Sequence, residues 1–263
     1  MTKRTLLILL TLLFATFSAC TSASSADRET MSEASLTPTA EALPKAAELY
    51  SKREDTDNVR QALEILQSAR NPDRRNFEVE SNFAKYSYFL GSRESTDDKE
   101  ADKVLKEGLV AAGIAARLEP EKPDGYFWEA AILGEQSKRA PLTVGVISID
   151  KVRDGLNRSI EIDPGFLAAS GYLGLGQLEL NTRGLAGGSS EKAVEYLQKG
   201  LQHSKENGYI YFYLAEAYFS MDKSDEAKKM IADLKAMKPD PDHLPEYNEA
   251  LAKAEKLLNE KTL

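Results

Sequence analysis

Few residues in this chain have types and spacing suited to covalent chemistry. The sequence holds one cysteine, Cys20, and two histidines, His203 and His243. A lone cysteine permits no intrachain disulfide, and with two distant histidines it cannot complete a His/Cys zinc set. No cofactor is implied. His203 stands near the end of a helical pattern beside Lys205 and Glu206, and His243 stands in the proline-rich run "KPDPDHLPEY". Both read as exposed or cap-adjacent side chains and not as bases. The pairs Asp97-Asp98 and Asp225-Glu226 fall where helices should begin, and there the helix dipole favours negative charge. Glu48, Glu129 and Glu216 are lone glutamates that solvent would cover unless a concavity enclosed them.

The stretch "NTRGLAGGSSEKA" (181–193) is the other candidate, as a phosphate cradle. The phosphate-loop pattern G-x-x-x-x-G-K-S/T after a strand is not met. Counted from Gly184, Ser189 stands where the second glycine belongs, and Lys192 does not follow a glycine. Helical pattern, not strand, precedes the stretch, so the dinucleotide-binding glycine spacing fails as well. Gly184, Gly187 and Gly188 read instead as a chain reversal using positive φ. Ser189 or Ser190 would then cap the following helix, with Glu191 in its first turn.

Composition limits what the chain can bind. Of its 263 residues 42% are hydrophobic, enough for one large or two small globular units. A net charge of −8 argues against a nucleic-acid surface, which needs clustered Lys and Arg. The start, "MTKRTLLILLTLLFATFSAC", has basic Lys3 and Arg4 and then an apolar run shorter than the roughly 20 residues of a spanning helix. That is the pattern of a secretory signal peptide. It ends Phe17-Ser18-Ala19-Cys20, which resembles the lipobox of bacterial lipoproteins. The resemblance implies cleavage before Cys20 and acylation of its thiol and new amine; Phe17 departs from the usual Leu. Thr21 after the cysteine resembles an outer-membrane address. Loss of residues 1–19 would remove two basic residues and no acid, taking the net charge from −8 to −10. Residues 20–43 are small and polar and read as a flexible tether.

From residue 44 to 263 apolar residues recur at helical spacing, and β signals are nearly absent apart from "LTVGVISI" (142–149). Gly208–Pro241 is a 34-residue unit. Tyr211, Leu214, Ala215 and Tyr218 share a face of its first helix, and Ala227, Ile231 and Leu234 share a face of its second. Ser224 is placed to cap the second helix and Pro239 to end it. The unit resembles a tetratricopeptide repeat. A preceding unit has Leu173-Gly174, then Ala193, Leu197 and Gly200, with seven extra residues in its turn. "YFWEAAILGE" and "IEIDPG", separated by "KRAPLTVGV", make a third. "FEVESNFAKYSYFLG" with "ADKVLKEGLVAAGIAARLEP" makes a fourth, and "PKAAELYSKR" with "NVRQALEILQSA" a fifth. A last helix near 245–260 would cap the stack. The expectation is an all-α superhelix of five helix pairs plus a cap, with a concave face made mainly by first helices.

"ELYSKR", "ALEILQSA", "YFWEAAILGE", "IEIDPGF", the Arg-Gly-Leu and Gly-Gly-Ser loop and "LAEAYFSMDKSDEA" occur in that order. Their order is similar to the T-component (TatT) family of TPR-associated TRAP transporters, though Ala186 replaces the family's usual proline. The resemblance covers most of residues 44–240. It implies a periplasm-facing lipoprotein that assists a substrate-binding protein supplying a membrane transporter for small organic acids or apolar ligands. The repeat pattern by itself places Tyr209, Phe212, Glu216 and Phe219, with Leu175 and Leu178 of the neighbouring repeat, on the concave side. These form an apolar stripe for a partner segment or an apolar ligand, or for packing against the terminal helix. The leading expectation is a lipid-anchored binding protein of the envelope. Its partner would be an envelope protein such as a periplasmic substrate-binding protein, with homo-oligomers open. The alternatives are an outer-membrane assembly or secretion scaffold and, third, an enzyme, which would require buried, perturbed carboxylates in the concavity.

Overall fold

The computed structural model describes residues 36–141, 145–184 and 186–262. The signal peptide, Cys20 and the tether as far as residue 35 lie outside the described residues, as do residues 142–144 of the β-branched cluster. The chain from Leu36 to Leu263 forms one compact unit. Its helices are α1 (Thr39–Ser51), α2 (Thr56–Ala69), α3 (Phe77–Gly91), α4 (Asp98–Leu118), α5 (Asp124–Arg139) and α6 (Val146–Ile162). They continue with α7 (Phe166–Asn181), α8 (Ser190–His203), α9 (Gly208–Ser220), α10 (Ser224–Ala236) and α11 (Leu244–Thr262). No strand occurs among the described residues.

Short polar side chains fix several helix starts by accepting the amide hydrogens that a first turn leaves unpaired. Asp55 accepts from the amide of Asp57, Asn76 from that of Val79, and Asp97 from those of Lys99 and Glu100. Ser189 accepts from the amide of Lys192. Two starts differ from expectation. α1 begins at Thr39, inside the segment read as tether, because Ala42 and Ala46 are buried against α2. Two small residues at i, i+4 sufficed for close packing where composition alone suggested a solvated coil. Ser224 does not cap α10: Asp222 takes a left-handed conformation (φ 59°), so the helix begins at Ser224 itself and its hydroxyl sits inside the first turn.

Consecutive helices pack as five pairs, α1/α2 through α9/α10. One core runs from Ala42 to Leu175 and includes Leu66, Phe83, Leu90, Leu105, Trp128, Ile132 and Leu156. A second joins α9, α10 and α11 through Phe212, Phe219, Ile231, Leu234, Ala250 and Ala254. Close approach has sequence causes. A Cβ on Gly125 would sit 2.3 Å from the backbone nitrogen of Ala116, so α5 can meet α4 there only as glycine. The N-terminal turn of α7 is left-handed at Leu167, Ala168 and Ala169, and Asn207 donates to the Ala168 carbonyl at 3.1 Å.

α11 does more than cap the last pair. It crosses back to the first part of the chain. Arg53, in the turn after α1, donates to both carboxylate oxygens of Glu246 at 2.9 and 2.7 Å and to the backbone carbonyl of Asp242. Arg93, just past α3, donates to Glu249 at 2.5 Å. Partners 193 and 156 residues apart thus close the superhelix on itself.

Candidate functional site

The closure bounds a chamber of about 1180 Å3 that stays open to solvent. Its walls come from α1, α3, α5, α6, α7, α9 and α11, with no residue from the second helices α2, α4, α8 or α10. Only α6 among second helices contributes, through Ile149, Val152 and Leu156. The volume lies just above the roughly 300–1,000 Å3 range of small-ligand pockets. A smaller polar cleft of about 530 Å3 lies between α4 and α5, where Arg139 already pairs with Asp98.

Aromatic rings form much of the wall. Tyr50 stacks on Tyr86 with centroids 4.0 Å apart and meets Phe89 edge-on. Tyr88 lies 5.7 Å from Trp128, and Tyr209 lies 6.4 Å from Tyr213. Burial raises the phenol pKa of Tyr50, Tyr88 and Tyr209, and pushes that of Tyr213 up to about 12. None of these tyrosines ionises at neutral pH, so they act as apolar surface with a hydrogen-bonding tip.

Charged groups sit among the rings, and most are paired. Arg53 holds Glu246 and lies over the Tyr50 ring at 5.1 Å. Arg93 holds Glu249 and lies over Phe89 at 4.4 Å. Lys138 holds Glu135 at 3.1 Å. Burial disfavours the charged form of Glu249, but the Lys253 ammonium, the Arg93 guanidinium and the Tyr209 hydroxyl hold its carboxyl below the usual range. Lys85 differs. Burial, and then the neighbouring Arg53 charge, lower its pKa, and no carboxylate stands within ion-pair distance of it among the described residues.

The sequence-derived stripe divides. Tyr209 and Leu178 line the chamber. Phe212 and Phe219 are buried in the core against α11, and Leu175 is buried between α7 and its neighbours. Glu216 is half-buried with Arg183 at 3.7 Å; burial raises its pKa and Arg183 opposes that. His203 stacks on Tyr172, and His243 is exposed beside Asp240. Reasoning from the last repeat missed the inward face of α3, Lys85, Tyr88 and Phe89, and Arg93 just past its end. Its signal was spacing: residues 85, 89 and 93 recur every fourth position, with aromatics between a lysine and an arginine.

Among the described residues two glutamates are fully buried, and neither lines the chamber. Glu80 accepts from Arg70 at 2.9 Å and from Arg75 at 2.7 Å, tying the α2–α3 turn. Glu179 accepts from Arg153 at 2.7 Å and from the amide of Ser189 at 3.3 Å, holding the glycine loop. That loop uses positive φ at Gly184 and Gly187, and a Cβ on Gly188 would meet the Glu179 carbonyl at 2.2 Å. It is a structural reversal bolted to a carboxylate. Among the described residues no cluster of His, Cys, Asp and Glu could hold a metal ion.

A model of the family described as regulator of microtubule dynamics protein 1-3 matches residues 42–175, and a tetratricopeptide repeat model matches residues 185–259. The first match spans just over half of the chain, which belongs to the regulator of microtubule dynamics protein 1-3 family. No curated protein matches the chain. Among solved structures, TTC0263, a thermophilic TPR protein of Thermus thermophilus, is 20% identical with a TM-score of 0.59. The alignment covers 81% of this chain and 98% of that one. A structure of MamA is 16% identical, covering 84% and 96%, with a TM-score of 0.47. The repeat-model match and the likeness to TTC0263 make the fold a tetratricopeptide-type superhelix. Scaffolds of this class are generally non-catalytic and bind protein partners on their concave face.

Proposed function

We propose that this protein is a lipid-anchored, non-enzymatic binding protein of the bacterial envelope. In this reading its chamber receives an apolar ligand or an apolar partner segment. The observation that carries the binding part is the aromatic chamber itself, closed by α11 and built on first helices. Against catalysis stands the use of the buried carboxylates: Glu80 and Glu179 hold turns and lie away from the chamber. The anchor rests on the apolar leader and the single cysteine at its end. Assistance to a substrate-binding protein of a TRAP-type transporter rests on the order of motifs along the chain, and an outer-membrane assembly scaffold is the alternative partner context. Capture from solubilised membranes, followed by mass spectrometry, tests this with wild type and Gly134→Trp. Gly134 lines the chamber, and a Cβ there meets nothing within 4 Å, so the tryptophan fills space without displacing backbone. Loss of a specific envelope partner in the variant supports the reading; the same partners in both contradict it. Labelling with a palmitate analogue should mark wild type and not Cys20→Ala; equal labelling removes the anchor.

A second reading rests on the family match over residues 42–175, whose description names microtubule dynamics. Co-sedimentation with polymerised tubulin separates the two: a pelleting, saturable complex favours the second.

A further inference from the structure

Each cation on the chamber wall should be matched with an anion, since an isolated buried charge is costly. Arg53 is matched by Glu246, Arg93 and Lys253 share Glu249, and Lys138 is matched by Glu135. Lys85 is left over. The carboxylates that act on it from a distance are Glu246, already forked onto Arg53, and Asp124, which accepts from Ser81. Its ammonium lies over the face of Tyr50, 5.0 Å from the ring centroid. The wall therefore offers a charge without a counter-charge within ion-pair distance. The middle of the wall, with Tyr88, Trp128, Leu156, Leu178 and Tyr213, is aromatic and apolar, and the further acids Glu206, Asp240 and Asp242 stand in the turns before α9 and α11.

We infer that the chamber binds an amphipathic monocarboxylate, with its carboxylate on Lys85 and its hydrocarbon body against the aromatic wall. This rests on the proposal above that the chamber takes an apolar ligand, and it names the class. A single anionic group satisfies one ammonium without overcharging a wall whose other cations are paired. A hydrocarbon body is what a tyrosine- and tryptophan-lined cavity of about 1180 Å3 accommodates. Burial and then the Arg53 charge lower the pKa of Lys85, and a carboxylate beside it would act in the opposite direction.

The test uses residues 36–263, the compact unit, and isothermal titration with dodecanoate and with the uncharged dodecanol. Wild type should prefer dodecanoate by about tenfold or more, the ratio expected of one charge-assisted hydrogen bond. Lys85→Met should bind dodecanol as wild type does and lose the preference for the acid. Two results overturn the inference while leaving the apolar chamber intact: equal affinity of wild type for acid and alcohol, or a preference that survives in Lys85→Met. Binding of neither ligand to wild type overturns the inference together with the reading on which it rests.

Discussion

α3 and α9 are both first helices, and both present aromatic residues to the chamber, yet they use their inner faces differently. On α3 the inward residues Lys85, Tyr88 and Phe89 stay at the chamber wall, while Phe83, Ala84 and Leu90 fill the core behind. On α9 Gly208, Tyr209 and Tyr213 reach the chamber; Phe212, Ala215 and Phe219 are covered by α10 and α11. The cause is position in the stack. α9 has a terminal helix laid across its exposed side, and α3 has repeats on both sides and nothing across its face. A final helix thus turns the aromatic stripe of the last repeat into core, and the binding surface shifts to the middle of the chain.

This contrast can be broken at either helix. The largest effect is expected for Phe212→Ala, which removes a buried ring beneath α11. It should cost about 3–5 kcal/mol in urea denaturation; a cost below about 1 kcal/mol would mean that α11 does not cover α9. Next comes the closure. Glu246→Gln leaves Arg53, whose side chain is 7% exposed, without its counter-ion. Because Glu246 is itself 27% exposed, the loss should be about 2 kcal/mol, less than for a fully buried pair. An unchanged melting temperature would show that α11 is not held to the first pair.

Acid should loosen the second clasp. The carboxyl of Glu249 has a folded pKa below its usual value, so its contribution is fully present above that usual value. It is lost as pH falls through the folded pKa. Melting temperature should fall more steeply below about pH 4.5 in wild type than in Glu249→Gln, and parallel curves would contradict the assignment. Smaller still, Lys85→Met should leave stability unchanged or raise it by up to about 1 kcal/mol, since it removes a charge with no counter-ion. A clear loss would mean that Lys85 has a structural role. Finally, Asp222→Gly should gain about 0.5 kcal/mol by easing the left-handed residue after α9.

Much of the fold was legible because packing periodicity and helix punctuation are local. Asp97, Ser189, Pro164 and the Ala215/Ala227 approach mark element ends and contacts within a few residues. The glycine loop was legible for the same reason: its motif spacing fails by inspection of Gly184, Ser189 and Lys192. The site was less so. Whether Phe212 faces ligand or α11 depends on where a helix more than thirty positions later returns, and spacing within one repeat carries no such information. Lys85 reads as a solvated charge until Arg53, over thirty positions earlier, and Glu246, far later, are brought beside it. The start of α1 was hidden because small residues such as Ala42 and Ala46 suit both a loose coil and a tight helix contact.

The account turns on the interior of the superhelix being a binding space. Its most direct measurement is titration of residues 36–263 with an environment-sensitive apolar fluorophore, N-phenyl-1-naphthylamine, comparing wild type with Gly134→Trp at equal melting temperature. Saturable enhancement in wild type that is abolished in the filled variant is the predicted result. Equal enhancement in both proteins, or none in wild type, would contradict it.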